Sequence, residues 1–177
     1  MSVYSAAMRE RPALFLGLLA DQPELIAEVG VLRWRASGSV GTPGPWIEST
    51  ARDAGRDGLP LTLVAMDLDG RAIGAVTLGA DDDTPGVRCG ERAPWVVRMV
   101  VRPGERMCGV GRLMMNAVED LAREHGHDRL WVAAGDDCAE FYRHCGWADA
   151  LDPVEPHEAE AVADASRVLS KELTVVA

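Results

Sequence analysis

Positive charge is scarce in this chain and takes almost one form: Lys171 is the only lysine, and the other basic side chains are arginines. The skew reads as genome composition before it reads as function. With 18 Lys+Arg against 28 Asp+Glu, the formal net charge is −10. That balance argues against nucleic-acid binding through bulk electrostatics and mildly favours a cationic partner or substrate. Long apolar runs are missing too. The longest near the N-terminus is about Ala13 to Leu19, well short of the ~20 residues that span a membrane. No basic segment and long apolar stretch precede a small-residue cleavage site, so no export signal is read. The cysteines, Cys89, Cys108, Cys138 and Cys145, include no CxxC pair, and His125 with His127 completes no zinc pattern. No metal is expected, and reduced thiols in a cytoplasm are the expectation.

What is present suits a folded domain. At 177 residues and 47% hydrophobic content the chain can bury a substantial core as one unit. Residues 1–11 read as a loose polar tail and 12–177 as a single domain. Ala13 to Leu19 reads as a strand. Asp21, Pro23 and Glu24 read as a helix start with Asp21 as the cap. Leu25, Ile26, Val29, Leu32 and Arg33 continue at helical spacing toward Ala36. Trp46 to Ala54 reads as a second helix. Leu61–Leu68 and Ala72–Leu78 read as a hairpin turned at Asp69-Gly70.

After a long loop from Gly79 to Pro94, Trp95–Val101 reads as a strand. Val110, Leu113, Met114, Ala117, Val118 and Leu121 mark an amphipathic helix to His125, closed by Gly126. Arg129–Ala134 reads as a strand, and Asp136 or Asp137 as the cap of a short helix ending at Gly146. An acidic loop, 152–164, leads to a last strand over 166–176. The order predicts an α+β fold: an early antiparallel meander and a late β-α-β-α-β unit.

The most informative stretch runs from Trp95 to Gly126. A strand, WVVRMVV, feeds the turn RPGERMCGVG, which opens a helix. A glycine-bearing loop at a helix N-terminus bares backbone N–H groups, the natural seat of a phosphate or pyrophosphate. No Gly-Lys-[Ser/Thr] follows, and Met114 stands where a dinucleotide fingerprint needs its third glycine. A plain strand-to-helix turn is the bland alternative.

The segment resembles the GCN5-related N-acetyltransferase (GNAT) family. Arg106, Gly109 and Gly111 match its R-x-x-G-x-G signature, and FYRHCGW, residues 141–147, resembles its F-Y-x-x-x-G-[FW] segment. The resemblance implies a central mixed sheet flanked by helices, with a splayed pair of parallel strands. It also implies acetyl-CoA as cosubstrate, with its pantetheine arm along Met99, Val100 and Val101. The pyrophosphate would lie on the loop of Arg106, Met107, Cys108, Gly109, Val110, Gly111 and Arg112. By the same resemblance the Val100 amide would polarise the thioester carbonyl, and Tyr142 would protonate the departing thiolate. A phenol of pKa ~10 suits a thiol of pKa ~8.5. The implied reaction is acetyl transfer to a primary amine by direct attack in a ternary complex.

Several positions depart from the family pattern. Met107 and Cys108 replace the usual glycine and basic residue, and Gly135 replaces an asparagine. Trp95 and Val96 stand where several relatives carry a glutamate base. The nearest upstream acid is Glu91, the candidate base; a neutral amine or a water relay is the alternative. The acceptor is expected to be a small-molecule or peptide amine, with a cationic one favoured by the charge. Asp81 to Asp83 could line its approach or be a solvated turn. Trp34 and Trp46 could line its pocket or be packing residues. Neither nucleic acid nor membrane is an expected partner, and a homodimer is the common arrangement for such chains. A non-catalytic acyl-CoA-binding module on the same fold, or a nucleotide-phosphate binder, are the competing readings.

Overall fold

The computed structural model describes residues 13–81, 93–150 and 167–174. Its centre is a sheet built from β1 (Phe15–Leu18), β2 (Leu61–Met66), β3 (Ala72–Gly79), β4 (Trp95–Val101), β5 (Arg129–Ala134), β6 (Ala148–Asp149) and β7 (Arg167–Glu172). The spatial order is β1-β2-β3-β4-β5-β7-β6. Neighbouring strands run antiparallel except β4 and β5, which are parallel. The helices are α1 (Ile26–Ser37), α2 (Gly44–Asp53), α3 (Val110–Glu124) and α4 (Asp136–His144).

The hydrophobic core forms two clusters. Ile73, Val76, Val96, Met114, Val118, Leu130, Val132 and Tyr142 belong to the larger one, with α3 and α4. Leu19, Leu25, Val29, Val64, Ala75 and Val100 form the smaller one under α1. This division follows from the period of two: Val64, Ala75 and Val100 point to one face of the sheet and their neighbours to the other. Gly30 lets α1 and α2 approach closely, since a Cβ there would lie 2.6 Å from Ile47 Cα.

Several local expectations change. Asp21 caps no helix: two 3-10 turns, Leu19–Asp21 and Pro23–Leu25, precede α1, whose start at Leu25 has no side-chain cap. Asp21 instead pairs with Arg56. Asp136 and Asp137 lie in the first turn of α4, and Gly135 is its N-cap residue. The second helix begins at Gly44, two residues earlier than expected, with Pro43 as its N-cap residue and Pro45 in its first turn. The two-residue β6 carries no periodicity and escapes a sequence reading.

The hairpin turn is held by Asp67, whose Oδ1 accepts from the Asp69 and Arg71 amides at 3.0 and 2.9 Å. Gly126 closes α3 as expected, at φ +81°, with His127 N–H donating to Ala122 C=O. Among the described residues no helix is long and apolar enough to cross a membrane. The acidic loop 152–164 and residues 82–92 lie outside the described residues.

Candidate active site

The parallel pair β4 and β5 stays in register only at Trp95↔Trp131. The two indoles lie 6.3 Å apart there and close one end of the pair. Beyond them the strands part around a cleft of about 250 Å³, lined by Val96 to Met99 on one side and Val132 to Gly135 on the other. Cys138 and Tyr142 of α4 complete the lining.

A β-bulge bends β4 at this point. The register with β3 steps from Thr77↔Val97 to Ala75↔Val100, so Arg98 and Met99 together oppose Val76. Arg98 takes φ +51°, an uncommon value for an arginine. A buried polar cluster surrounds it. Arg98 Nη1 donates to Asp53 Oδ2 at 2.6 Å, and Arg33 Nη1 donates to the same oxygen at 3.2 Å. Arg33 also donates to Thr50 Oγ1 at 3.2 Å and Thr77 Oγ1 at 2.7 Å, and Thr77 and Thr62 hydroxyls lie 2.7 Å apart. Burial lowers the Arg33 pKa to about 10, while Asp53 pulls it back up. It is therefore a cation at neutral pH. This cluster ties α1 and α2 to the bulge.

Strand geometry orients the backbone of Val100 toward β3. Arg102 N–H donates to Ile73 C=O at 2.8 Å, so the backbone of residue 102 faces β3. Backbone polar groups alternate along a strand, so Val100, opposite Ala75, faces β3 as well. Its amide is turned away from the cleft. Val101 turns the other way, its carbonyl accepting from Arg106 Nε at 3.1 Å, and Met99 lies within the bulge. The Val100 side chain packs under α1 instead.

The glycine-bearing loop lies at the open end of β4. Pro103–Glu105 make a 3-10 turn, Met107 stands at φ +63° and fully exposed, and Gly109 at φ +85° is the N-cap residue of α3. The first internal bond of α3 runs from Leu113 N–H to Gly109 C=O, at 3.0 Å. The N–H groups of Val110, Gly111 and Arg112 therefore point out of the helix end. The two glycines work differently. Gly109 supplies the left-handed turn, with open space where a Cβ would be. A Cβ on Gly111 would stand 3.2 Å from both Met99 Cε and Phe141 Cζ, so Gly111 brings α3 against β4 and α4.

The flanking side chains are partly committed. Arg106 bends back to Val101, while Arg112 donates to His144 C=O at 3.1 Å, across to the end of α4. Cys108 Sγ lies 3.5 Å from Arg106 C=O. Tyr142 is buried between Phe141 and Trp147, in edge-on contact with both rings. Its hydroxyl reaches 3.9 Å from Met99 Sδ, beside the bulge. Tyr142 and Met99, far apart in sequence, thus meet at one cleft, and Gly111 packs against Met99 and Phe141.

Trp95 is fully buried and Val96 nearly so. Trp34 and Trp46 are half-buried on α1 and α2. Glu91, Asp82 and Asp83 lie outside the described residues, and Asp81 is exposed. Among the described residues no group of three or more His, Cys, Asp or Glu stands where it could hold a metal ion.

A sequence reading missed the Arg33–Asp53–Arg98 cluster. One signal was available: Arg33 falls on the apolar stripe of its helix, and a charge at a core position needs a partner.

The geometry agrees with known proteins. The sequence pattern of the Acetyltransferase (GNAT) family matches residues 27–147. Over 112 residues the chain is 32% identical to the streptothricin acetyltransferase of Streptomyces lavendulae, which covers 59% of this chain and 58% of that protein. The chain thus spans 58% of the length of that relative. A GNAT-family acetyltransferase from Staphylococcus aureus Mu50 superposes with a TM-score of 0.63 at 14% identity, covering 92% of this chain and 100% of the other. The spermidine/spermine N-acetyltransferase of Vibrio cholerae gives 0.63 at 14% identity, covering 90% of this chain and 92% of the other. With the pattern spanning the α1-to-Trp147 region, this chain belongs to the GNAT family of acetyltransferases.

Proposed function

We propose that this protein is an acetyl-CoA-dependent N-acetyltransferase that moves the acetyl group to a primary amine within a ternary complex. One observation carries the reading: β4 and β5 part beyond Trp95, and Tyr142 stands on the opened side. The donor fits the chain's own groups. An anionic tail suits the outward N–H groups at the start of α3. A slender arm suits the gap between the strands, where the Met99 and Val101 backbones offer bonds along one edge. Acetyl-CoA supplies an activated thioester carbonyl and a leaving sulfur.

The residues then divide the work. The Met99 and Val101 amides, in place of that of Val100, donate to the carbonyl oxygen as its charge grows. The Tyr142 hydroxyl gives its proton to the departing sulfur. The buried Trp95 indole and the half-buried Trp131 indole wall off one end of the cleft. The cleft lining from Val96 to Tyr142 contains no carboxylate among the described residues, so the amine arrives neutral or loses its proton through water. The same lack of a base favours the second reading, a non-catalytic acyl-CoA-binding module.

Thioester consumption across an amine panel separates the two readings. Turnover of an amine by the wild type, with Tyr142→Phe slower by about 10²–10⁴-fold, is expected. Equal turnover by both would remove Tyr142 as the acid. Coenzyme A binding with no amine turned over would favour the binding module.

A further inference from the structure

A larger groove lies on the other face of β4. It has a volume of about 470 Å³ and runs along α1 from Glu28 to Ala36, floored by Val100, Val101 and the turn that follows. Three arginines line it, Arg35, Arg102 and Arg106, against one acid, Glu28. Glu28 is already spent: Arg102 Nη2 donates to its Oε1 at 3.0 Å, and the same guanidinium contacts the Ala72 carbonyl. Arg35 and Arg106 are exposed, and no carboxylate lies within ion-pair distance of either among the described residues. Among the described residues, two cations with no carboxylate partner therefore share one concave site in a chain of net charge −10.

The face matters. Tyr142, Met99 and Gly111, the groups assigned to the donor, gather on the α3 and α4 side of the sheet. The groove belongs to the α1 side, with Val100. The groove and the cleft are neighbours along β4, the one lined by Val100 to Arg102 and the other by Val96 to Met99. The Arg35 end is also level with the bulge, since Arg33 on the same turn contacts Asp53, the partner of Arg98.

We propose that this groove is an anion subsite that takes the carboxylate or phosphate of the acceptor, so that the substrate is an amine bearing an acidic group. The proposal rests on the acetyltransferase reading and reverses the bias toward cationic acceptors that net charge alone suggests. Guanidinium groups bind carboxylate and phosphate through paired N–H donors, whereas a polyamine would meet two like charges there.

The test uses three amines of one chain length: 5-aminopentanoate, pentylamine and 1,5-diaminopentane. The full chain should turn over 5-aminopentanoate with kcat/KM at least tenfold above the diamine. Arg35→Glu should invert that ratio, and Arg35→Lys should keep its direction. A diamine preferred by the wild type would overturn the proposal. So would an Arg35→Glu variant that weakens coenzyme A but not dephospho-coenzyme A, because the arginines would then serve the donor's 3′-phosphate. If no amine is acetylated, the enzymatic reading fails on its own. Calorimetry with 5-aminopentanoate then decides the subsite: binding lost in Arg35→Glu supports it, and no binding to the wild type overturns it.

Discussion

Asp53 is the residue whose removal the structure makes most consequential. Its carboxylate accepts from two guanidinium groups, Arg33 and Arg98, and is itself buried. Asp53→Asn removes the carboxylate that Arg33 and Arg98 share beside the bulge in β4. Breaking a buried pair in this way costs about 3–5 kcal/mol. We expect kcat to fall at least tenfold while coenzyme A affinity, which we propose is set by the loop at α3, changes little. Urea unfolding with steady-state kinetics checks both, and an unchanged kcat would show that the cluster does not shape the cleft. Single residues were unevenly legible in the sequence. Gly109 and Tyr142 stand in recognisable motifs. The Val100 amide shows the limit of a motif: it names residues near a proposed ligand, whereas the ladder decides which way each backbone group points. Asp53 lies in no motif, and its pairing with residues 20 and 45 positions away appears only in the fold.

At the scale of elements, the loop and helix start that would hold the donor's phosphates depend on Gly109. At φ +85° an alanine would be strained by about 1–2 kcal/mol. Gly109→Ala should weaken coenzyme A binding several-fold in calorimetry, and an unchanged Kd would place the anion elsewhere. A second tie joins α3 to β7. Lys171 Nζ donates to both oxygens of buried Glu119 at 2.8 Å and to Cys145 C=O at 2.8 Å. Trp147 Nε1 adds a bond to Glu119 at 3.2 Å. Lys171→Met should destabilise the fold by about 3–5 kcal/mol in urea, because buried Glu119 then keeps only Arg123 at 4.0 Å as a cation partner; the double variant with Glu119→Gln should cost less. A single variant within 0.5 kcal/mol of wild type would contradict this role for the only lysine. The long elements were legible because their apolar period is strong: β4, β5 and α3 fall within a residue of expectation. Helix starts were less so. Asp21 and Asp136 look like caps by type, but they form ion pairs with Arg56 and Arg167 instead.

For the whole molecule, the seven-stranded order with its parallel β4–β5 junction places Tyr142 and α3 on one face of β4 and the arginine groove with Val100 on the other. That division was invisible in composition, where net charge pointed toward cationic partners. The pH dependence follows from the same arrangement. With no carboxylate lining the cleft among the described residues, kcat/KM should rise with pH through the pKa of the amine itself. Exchanging the amine for a less basic one should move that limb down by the difference in pKa. A limb that stays fixed would place a base on the protein. The most direct measurement of the central claim is the initial rate of amine acetylation with acetyl-CoA and amine both varied. Direct transfer between two molecules bound across the parted strands predicts intersecting reciprocal plots and no acetylated protein. Parallel plots, or acetylated amine formed without acetyl-CoA dependence, would contradict it.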